Sequence, residues 1–186
     1  MDFRGDILMD YIGCIGTYFP NVIADCIGDP TKYENINWVA GDPLPTKVDM
    51  DILIFQNYKD TKITSLSDDC QNAITCGFIS NALGSPHLYD SAEVDQLNLI
   101  GAVANVSPTI ANPTGSSVYY ATREVINGVT LPKEYDLHTY DQLRKVMSDG
   151  ADYKLALLIN FNIKRYYVTI ATTIEQIDAI TWSSNP

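Results

Sequence analysis

The sequence predicts an α+β protein with a long central helix, short strands and hairpins, and a C-terminal helical region. Three observations carry that expectation. Apolar residues recur at helical spacing from Val48 to Ile74, with Pro45-Thr46 before them and Gly77 after. Runs rich in β-branched and aromatic residues flank Asn127-Gly128, a strong hairpin signal. Three capping patterns, Asp90/Glu93, Thr139/Gln142 and Thr173/Gln176, mark helix starts in the second half. The breaker segment Gly41-Asp42-Pro43-Leu44-Pro45 divides the chain into 1–44, an N-terminal helix plus short strands, and 45–186, a main helical domain with β-hairpins.

Taken in order, residues 3–18 place Ile7, Leu8, Tyr11, Ile12 and Ile15 on one helical face, and Pro20 ends that helix. Gly5, Gly13 and Gly16 weaken it, or allow close packing. Asn21–Ile27 and Ile36–Val39 read as short strands around the turn Gly28-Asp29-Pro30, with Trp38 a core anchor. Thr46 caps a helix over 46–76, with a kink expected near Asp60-Thr61; the alternative is two helices, the second capped at Ser65 or Ser67. Its stripe is narrow, near a heptad seam, and packs either on its own domain or on identical subunits.

Gly84-Ser85-Pro86 is a turn between Phe78–Leu83 and His87–Tyr89. Asp90 and Glu93 cap a helix to about Asn105. Its apolar positions, Val94, Leu97, Gly101 and Ala104 beside Leu99, Ile100 and Val103, are wide enough to predict a buried helix. Ser107–Ser117 is a loop by composition, and a candidate partner-contacting segment. Val118–Ile126 then pairs with Val129–Leu137. The next helix carries Leu143, Val146 and Met147 and ends at Asp149-Gly150. Leu155, Ile159, Ile163, Tyr166 and Ile170 define a further helix, although a strand over 163–170 competes with it. Ile174–Ile180 is a last short helix closed by Trp182.

The net charge of −11 disfavours binding to nucleic acid, which needs clustered Lys and Arg. It equally disfavours a basic membrane-binding face. No apolar run approaches a membrane span, and Asp2, Arg4 and Asp6 break up any leader-like start. Cys14, Cys26, Cys70 and Cys76 form no CxxC pair and read as four buried thiols of a reducing cytoplasm; disulfides in a particle exposed to air are the alternative. His87 and His138 lie far from the cysteines in sequence, so no metal site is expected and the histidines read as capping or hairpin residues. The pairs Asp49/Asp51, Asp68/Asp69 and Asp90/Glu93 read as solvated faces and caps. No phosphate-binding glycine loop, GxSxG elbow or calcium loop is present, and neither cofactor nor catalytic residue is assigned.

Two blocks add to this reading. One is Ile74–Ala104, where a helix end runs into GFISNALGSPHLYDS and then DQLNLIGAV; the other is DLHTYDQLRKVM, a long helix and ATTIEQIDAITW. Together with the early YFPN, ENINW and DPLPTKVDMD they resemble a domain of unknown function common in tailed bacteriophages, found in tail-fibre and baseplate-associated proteins. The resemblance covers most of the chain, best over 45–182. It implies a structural virion protein without catalysis, made in the host cytoplasm and placed in the tail. Its partners would be other tail, baseplate or fibre proteins and further copies of itself, as a trimer or ring. The alternatives are a tail-fibre assembly chaperone absent from the finished particle and, third, a glycan-active enzyme. The contact surfaces expected are the seam residues Ile52, Phe55, Ile63 and Leu66 and the hairpin tyrosines Tyr119, Tyr120 and Tyr135.

Overall fold

The structure, a computed structural model, describes residues 10–41 and 43–183. The part of the first helix expected over 3–9, with Gly5, Ile7 and Leu8, lies outside the described residues, as does Asp42 of the breaker segment. The fold is α+β, with a long central helix, short strands and a helical C-terminal region. Two compact units divide it, one reaching to Leu66 and including Lys164–Thr181, the other spanning Ser67–Ile163 and the residues from Trp182. The sequence placed a boundary at 44/45. The division into compact units falls inside two long helices, and Met50 packs in the N-terminal core.

In the first unit, α1 (Tyr11–Tyr18) starts on Asp10, whose carboxylate accepts from the Gly13 N–H at 2.6 Å. Strands β1 (Ile23–Cys26) and β2 (Ile36–Ala40) pair antiparallel, with Ala24 opposite Trp38 and Cys26 opposite Ile36. Helix α2 (Lys47–Thr75) is one unbroken helix. Thr46 caps it through a reciprocal box: the Thr46 Oγ accepts from the Asp49 N–H, and Asp49 accepts from the Thr46 N–H, both at 3.2 Å. Met50 packs with Tyr11, Cys14 and Ile15, and Tyr33 and Trp38 close that core. Tyr33 meets the Tyr11 ring edge-on at 5.6 Å. The Tyr58 hydroxyl donates to Asp178 of α5 (Ile174–Asp178); burial and that carboxylate push Tyr58 up to about 12. The Thr173/Gln176 capping box of α5 is present as expected.

The second unit is built on a five-stranded antiparallel sheet. Strands β3 (Phe78–Ser80) and β4 (His87–Tyr89) form the first hairpin, and β4 pairs with the ten-residue β5 (Ser117–Ile126). Gly77 precedes the hairpin at φ +107°, where a Cβ would stand 2.8 Å from the Tyr89 carbonyl oxygen. Across Asn127-Gly128, both at positive φ, β5 turns into β6 (Val129–Thr130), and β7 (Glu134–Thr139) pairs along the rest of β5. The continuous strand expected over 129–137 is therefore broken at Leu131-Pro132-Lys133. Pro132 has no N–H to give the ladder, and the register shifts by one residue across it.

Two helices cover one face of this sheet: α3 (Glu93–Val106) and α4 (Tyr140–Ile170). Leu99 and Val106 from α3, and Leu143 and Val146 from α4, pack with Phe78 and Tyr89. The Thr139/Gln142 box that starts α4 is present. Two other sequence expectations are corrected. The cap of α3 is Ala92, with no side-chain cap bond, because Asp90 is drawn away to Arg123 and Lys133. Likewise α4 does not stop at Gly150; it runs through 163–170 as helix, which removes the strand alternative there. Gly150 marks a close approach: a Cβ there would lie 2.7 Å from the Phe78 ring.

All four cysteines are free thiols; Cys14 and Cys70 are buried, Cys26 is half-buried and Cys76 exposed, which corrects the reading of four buried thiols. Burial pushes the Cys14 and Cys70 thiols up. The loop after α3 is held by its own hydrogen bonds. Thr109 and Asn112 exchange backbone bonds, and the Asn112 amide donates to the Gly115 carbonyl at 2.6 Å.

Candidate functional site

The surface of the second unit holds the most informative arrangement, and it begins with helical geometry. Residues three and four apart on a helix share a face. On α3, Leu99 and Val106 turn inward with Ala102 and Val103 beside them. On the opposite side lie Val94, Leu97, Ile100, Gly101 and Ala104, all exposed; Leu97 is 68% exposed. The width of the apolar face predicted a buried helix. The chain supplies a packing layer on one side only, and the other half of the apolar surface meets solvent.

Helix α4 repeats the pattern. Leu143, Val146, Leu157 and Val168 are fully buried on one face. Leu155, Ile159 and Ile163, and then Tyr166 and Ile170 in the part of α4 that belongs to the first unit, follow at steps of four, four, three and four on the opposite face, each at least half exposed. That stripe spans about 22 Å at 1.5 Å per residue. Its spacing identified a helix in the sequence but gave no hint that the stripe faces outward. The missing signal was the second set, Leu143, Val146, Leu157 and Val168, which already fills the inward face.

The sheet has an outer face as well. Direct cross-strand partners share a side, so Ala121 with Tyr135 and Tyr119 with Leu137 lie together. Tyr119, Tyr135 and Leu137 are exposed, at 66%, 69% and 54%. Tyr120 is different. As the next residue on β5 it points inward, where it stacks on Tyr89 at 6.5 Å and donates to the Asp95 carbonyl. Burial pushes Tyr120 up to about 12. The sequence put all three tyrosines on one face; the period of two separates Tyr120 from the others.

The seam expected on α2 is also split. Ile52 is 62% exposed, Phe55 and Ile63 are half-buried, and Leu66 is 1% exposed. The Lys59 ammonium sits 4.8 Å from the Phe55 ring centroid. The buried side of α2 rotates along its length, from Met50 and Tyr58 to Leu66, Cys70 and Ala73. The expected seam therefore starts in solvent and finishes in the core.

Polar chemistry concentrates at two places. His138 is fully buried, and burial holds its imidazole below the ordinary value, hence neutral. Its Nδ1 lies 2.8 Å from the Asp136 carbonyl oxygen, which only accepts, so Nδ1 carries the proton. Nε2 then accepts from the Tyr89 hydroxyl at 2.8 Å. Every polar atom of this pair is satisfied, and the pair reads as part of the fold. His87 likewise donates from Nδ1 to the Ser85 carbonyl, across the hairpin turn.

The second place is a cleft of about 250 Å³ lined by Asp90, Asp95, Asn98, Tyr119, Lys133 and Tyr135. Asp90 bridges Arg123 and Lys133, and these two cations hold its carboxyl below the usual range. A carboxyl so held keeps its charge at neutral pH. It is unsuited to the proton-donor role that glycoside cleavage requires. Beside α3 and α4 lies an apolar groove of about 200 Å³, walled by Ile74, Phe78, Leu99, Ile100, Met147 and Tyr153. Among the described residues, no group of three His, Cys, Asp or Glu side chains is placed to hold a metal ion, and no helix is long and apolar enough to cross a membrane. No protein-family model, no curated protein and no solved structure matches this chain.

Proposed function

We propose that this chain is a structural component of a tailed-bacteriophage tail, a baseplate or tail-fibre attachment protein that acts by contact with neighbouring chains and works as an oligomer. The resemblance of Ile74–Ala104 and of the C-terminal block to tail-associated proteins supplies the setting. One structural observation supports the mode of action: α3 and α4 are each apolar on two opposite faces, and their own chain covers one. Exposed apolar faces of this extent mark surfaces that other protein covers. The sheet's outer tyrosines, Tyr119 and Tyr135, add the residue type most enriched where proteins meet.

Mass spectrometry of purified particles, combined with light scattering of the purified chain, tests this. The chain is expected in the particle, and in solution it is expected above monomer mass. Presence in infected cells with absence from particles would reassign it as a tail-fibre assembly chaperone. A strict monomer that is also missing from particles would sink the structural role.

A further inference from the structure

The cleft between α3 and the sheet carries polar groups that the fold does not use. Strand β4 pairs with β5 at Arg123 and Glu124, and β5 then continues along β7 alone. Helix α3 passes that stretch, tied to it by the Tyr120 hydroxyl, which donates to the Asp95 carbonyl at 3.2 Å. Here lies the space of about 250 Å³. Ala121, its smallest lining residue, stands opposite Tyr135 in the β5–β7 register. Tyr119 is the diagonal neighbour of Tyr135 on the same face of the sheet, so the two exposed rings lie side by side along one wall.

The other wall is polar. Asp95 and Asn98 are three apart on α3 and so neighbours on one flank of the helix. Among the described residues, the Asp95 carboxylate, the Asn98 amide and the hydroxyls of Tyr119 and Tyr135 have no hydrogen-bond partner. Lys133 gives one hydrogen to Asp90 at 2.7 Å, which leaves two of its three donors over. The cleft therefore offers an acceptor, an amide that both donates and accepts, and a donor, next to two aromatic rings. Its charges balance: Asp90 and Asp95 stand against Arg123 and Lys133. An anion would meet two carboxylates, a cation would meet the Lys133 ammonium, and an apolar ligand would cut the polar groups off from water.

We propose that this cleft binds a neutral saccharide, one or two pyranose units, with a C–H face of the sugar on Tyr119 and Tyr135 and its hydroxyls on Asp95 and Asn98. A hydroxyl both donates and accepts, so neighbouring hydroxyls of one ring satisfy a carboxylate and an amide together. The apolar face of the same ring covers the aromatic wall, in the usual division of a small-molecule site into apolar surface and a few placed polar groups. The volume is just below the about 300 Å³ at which drug-sized sites begin, which suits so small a ligand. The sugar is held and not cleaved, because Asp90 is locked to its two cations and has no proton to give. This binding role does not depend on the structural role proposed above.

Saturation-transfer NMR on the full chain tests it, with glucose, galactose, mannose and N-acetylglucosamine and the disaccharides maltose, cellobiose and lactose as probes. At least one sugar is expected to bind, with about millimolar affinity for a single unit of so few heavy atoms. Tyr135→Ala and Asn98→Ala should each weaken that binding at least about tenfold. Tyr135→Phe keeps the ring and should stay within about twofold, which separates stacking from a bond to the hydroxyl. Tyr166→Ala, at an exposed tyrosine of the first unit, should change nothing. Tyr135 and Asn98 are exposed, so their variants should fold, as circular dichroism checks; Asp95→Asn carries the test if one does not. No transfer to any of these sugars at about 20 mM, well above a millimolar affinity, overturns the proposal. So does transfer undiminished by Tyr135→Ala and Asn98→Ala, or binding of glucuronate, choline or uridine in place of the neutral sugars. Each of those failures leaves the particle and mass measurements of the structural role untouched.

Discussion

Gly150 stands in mid-helix with the Phe78 ring 2.7 Å from where its Cβ would be, whereas Gly101 has open space around it. The same substitution should therefore act in opposite directions. Gly101→Ala gains helix propensity, up to about 1 kcal/mol, and is expected to raise the stability of the isolated chain. Gly150→Ala gains the same propensity but forces Phe78 aside, an overpacking cost of about 1–3 kcal/mol, so a net loss is expected. Urea midpoints of both variants, measured where the chain is monomeric, check the pair. A stabilising Gly150→Ala would mean that Phe78 does not pack on α4. His138 supplies a second case. Burial holds its pKa below 6.5, so the unfolded chain takes up a proton that the folded chain refuses. Stability should be full above that value and fall as pH drops through 6.5 toward the folded pKa. The lowered carboxyls of Asp29, Asp49 and Asp90 act with the same sign, but below about pH 4. His138→Leu is expected to remove the upper window. It should also cost about 1–3 kcal/mol by orphaning the Tyr89 hydroxyl, and Tyr89→Phe should recover part of that loss in the double variant. An unchanged slope between pH 5 and 7 in His138→Leu would contradict the assignment.

At the scale of elements, α2 gives the sharpest contrast, because one expected seam divides into two environments. Leu66→Ala is expected to cost about 2–5 kcal/mol, as a fully buried leucine does. Ile52→Ala should stay within about 0.5 kcal/mol, as surface changes do. Equal costs at the two positions would show that the buried side of the helix does not rotate. This helix also shows what the sequence could and could not reveal. The reciprocal capping pairs at Thr46, Thr139 and Thr173 and the turn at Asn127-Gly128 depend on residues three or fewer positions apart, and they were legible. Asp90 was misread as a cap because its true partners, Arg123 and Lys133, lie on β5 and ahead of β7, and only the folded sheet brings them near. Gly150 looked like a helix stop for the same reason: Phe78 is remote in sequence. Tyr120 was misassigned through a local rule, since adjacent strand residues face opposite sides. The stripes on α3 and α4 were legible as helical, but their outward direction was not. Periodicity gives the angle between apolar residues and leaves open which side the chain itself covers.

For the whole molecule, net charge and exposed apolar surface oppose each other when copies meet. Each copy carries a net charge of −11, so approach is repulsive at long range. Added salt screens that repulsion. The Debye length falls from about 30 Å at 0.01 M to about 8 Å at 0.15 M, so the long-range repulsion between whole copies is lost first. Burial of Leu97, Ile159 and their neighbours is not screened at all. Assembly is therefore expected to tighten as salt rises over that range, seen as a larger weight-average mass at fixed protein concentration. Leu97→Glu and Ile159→Glu, each placing a charge on one exposed apolar face, are expected to weaken assembly at every salt concentration, since salt does not restore a blocked apolar face. Tenfold weaker assembly at 0.15 M would mean that ion pairs hold the copies together and that the apolar stripes are not the joint.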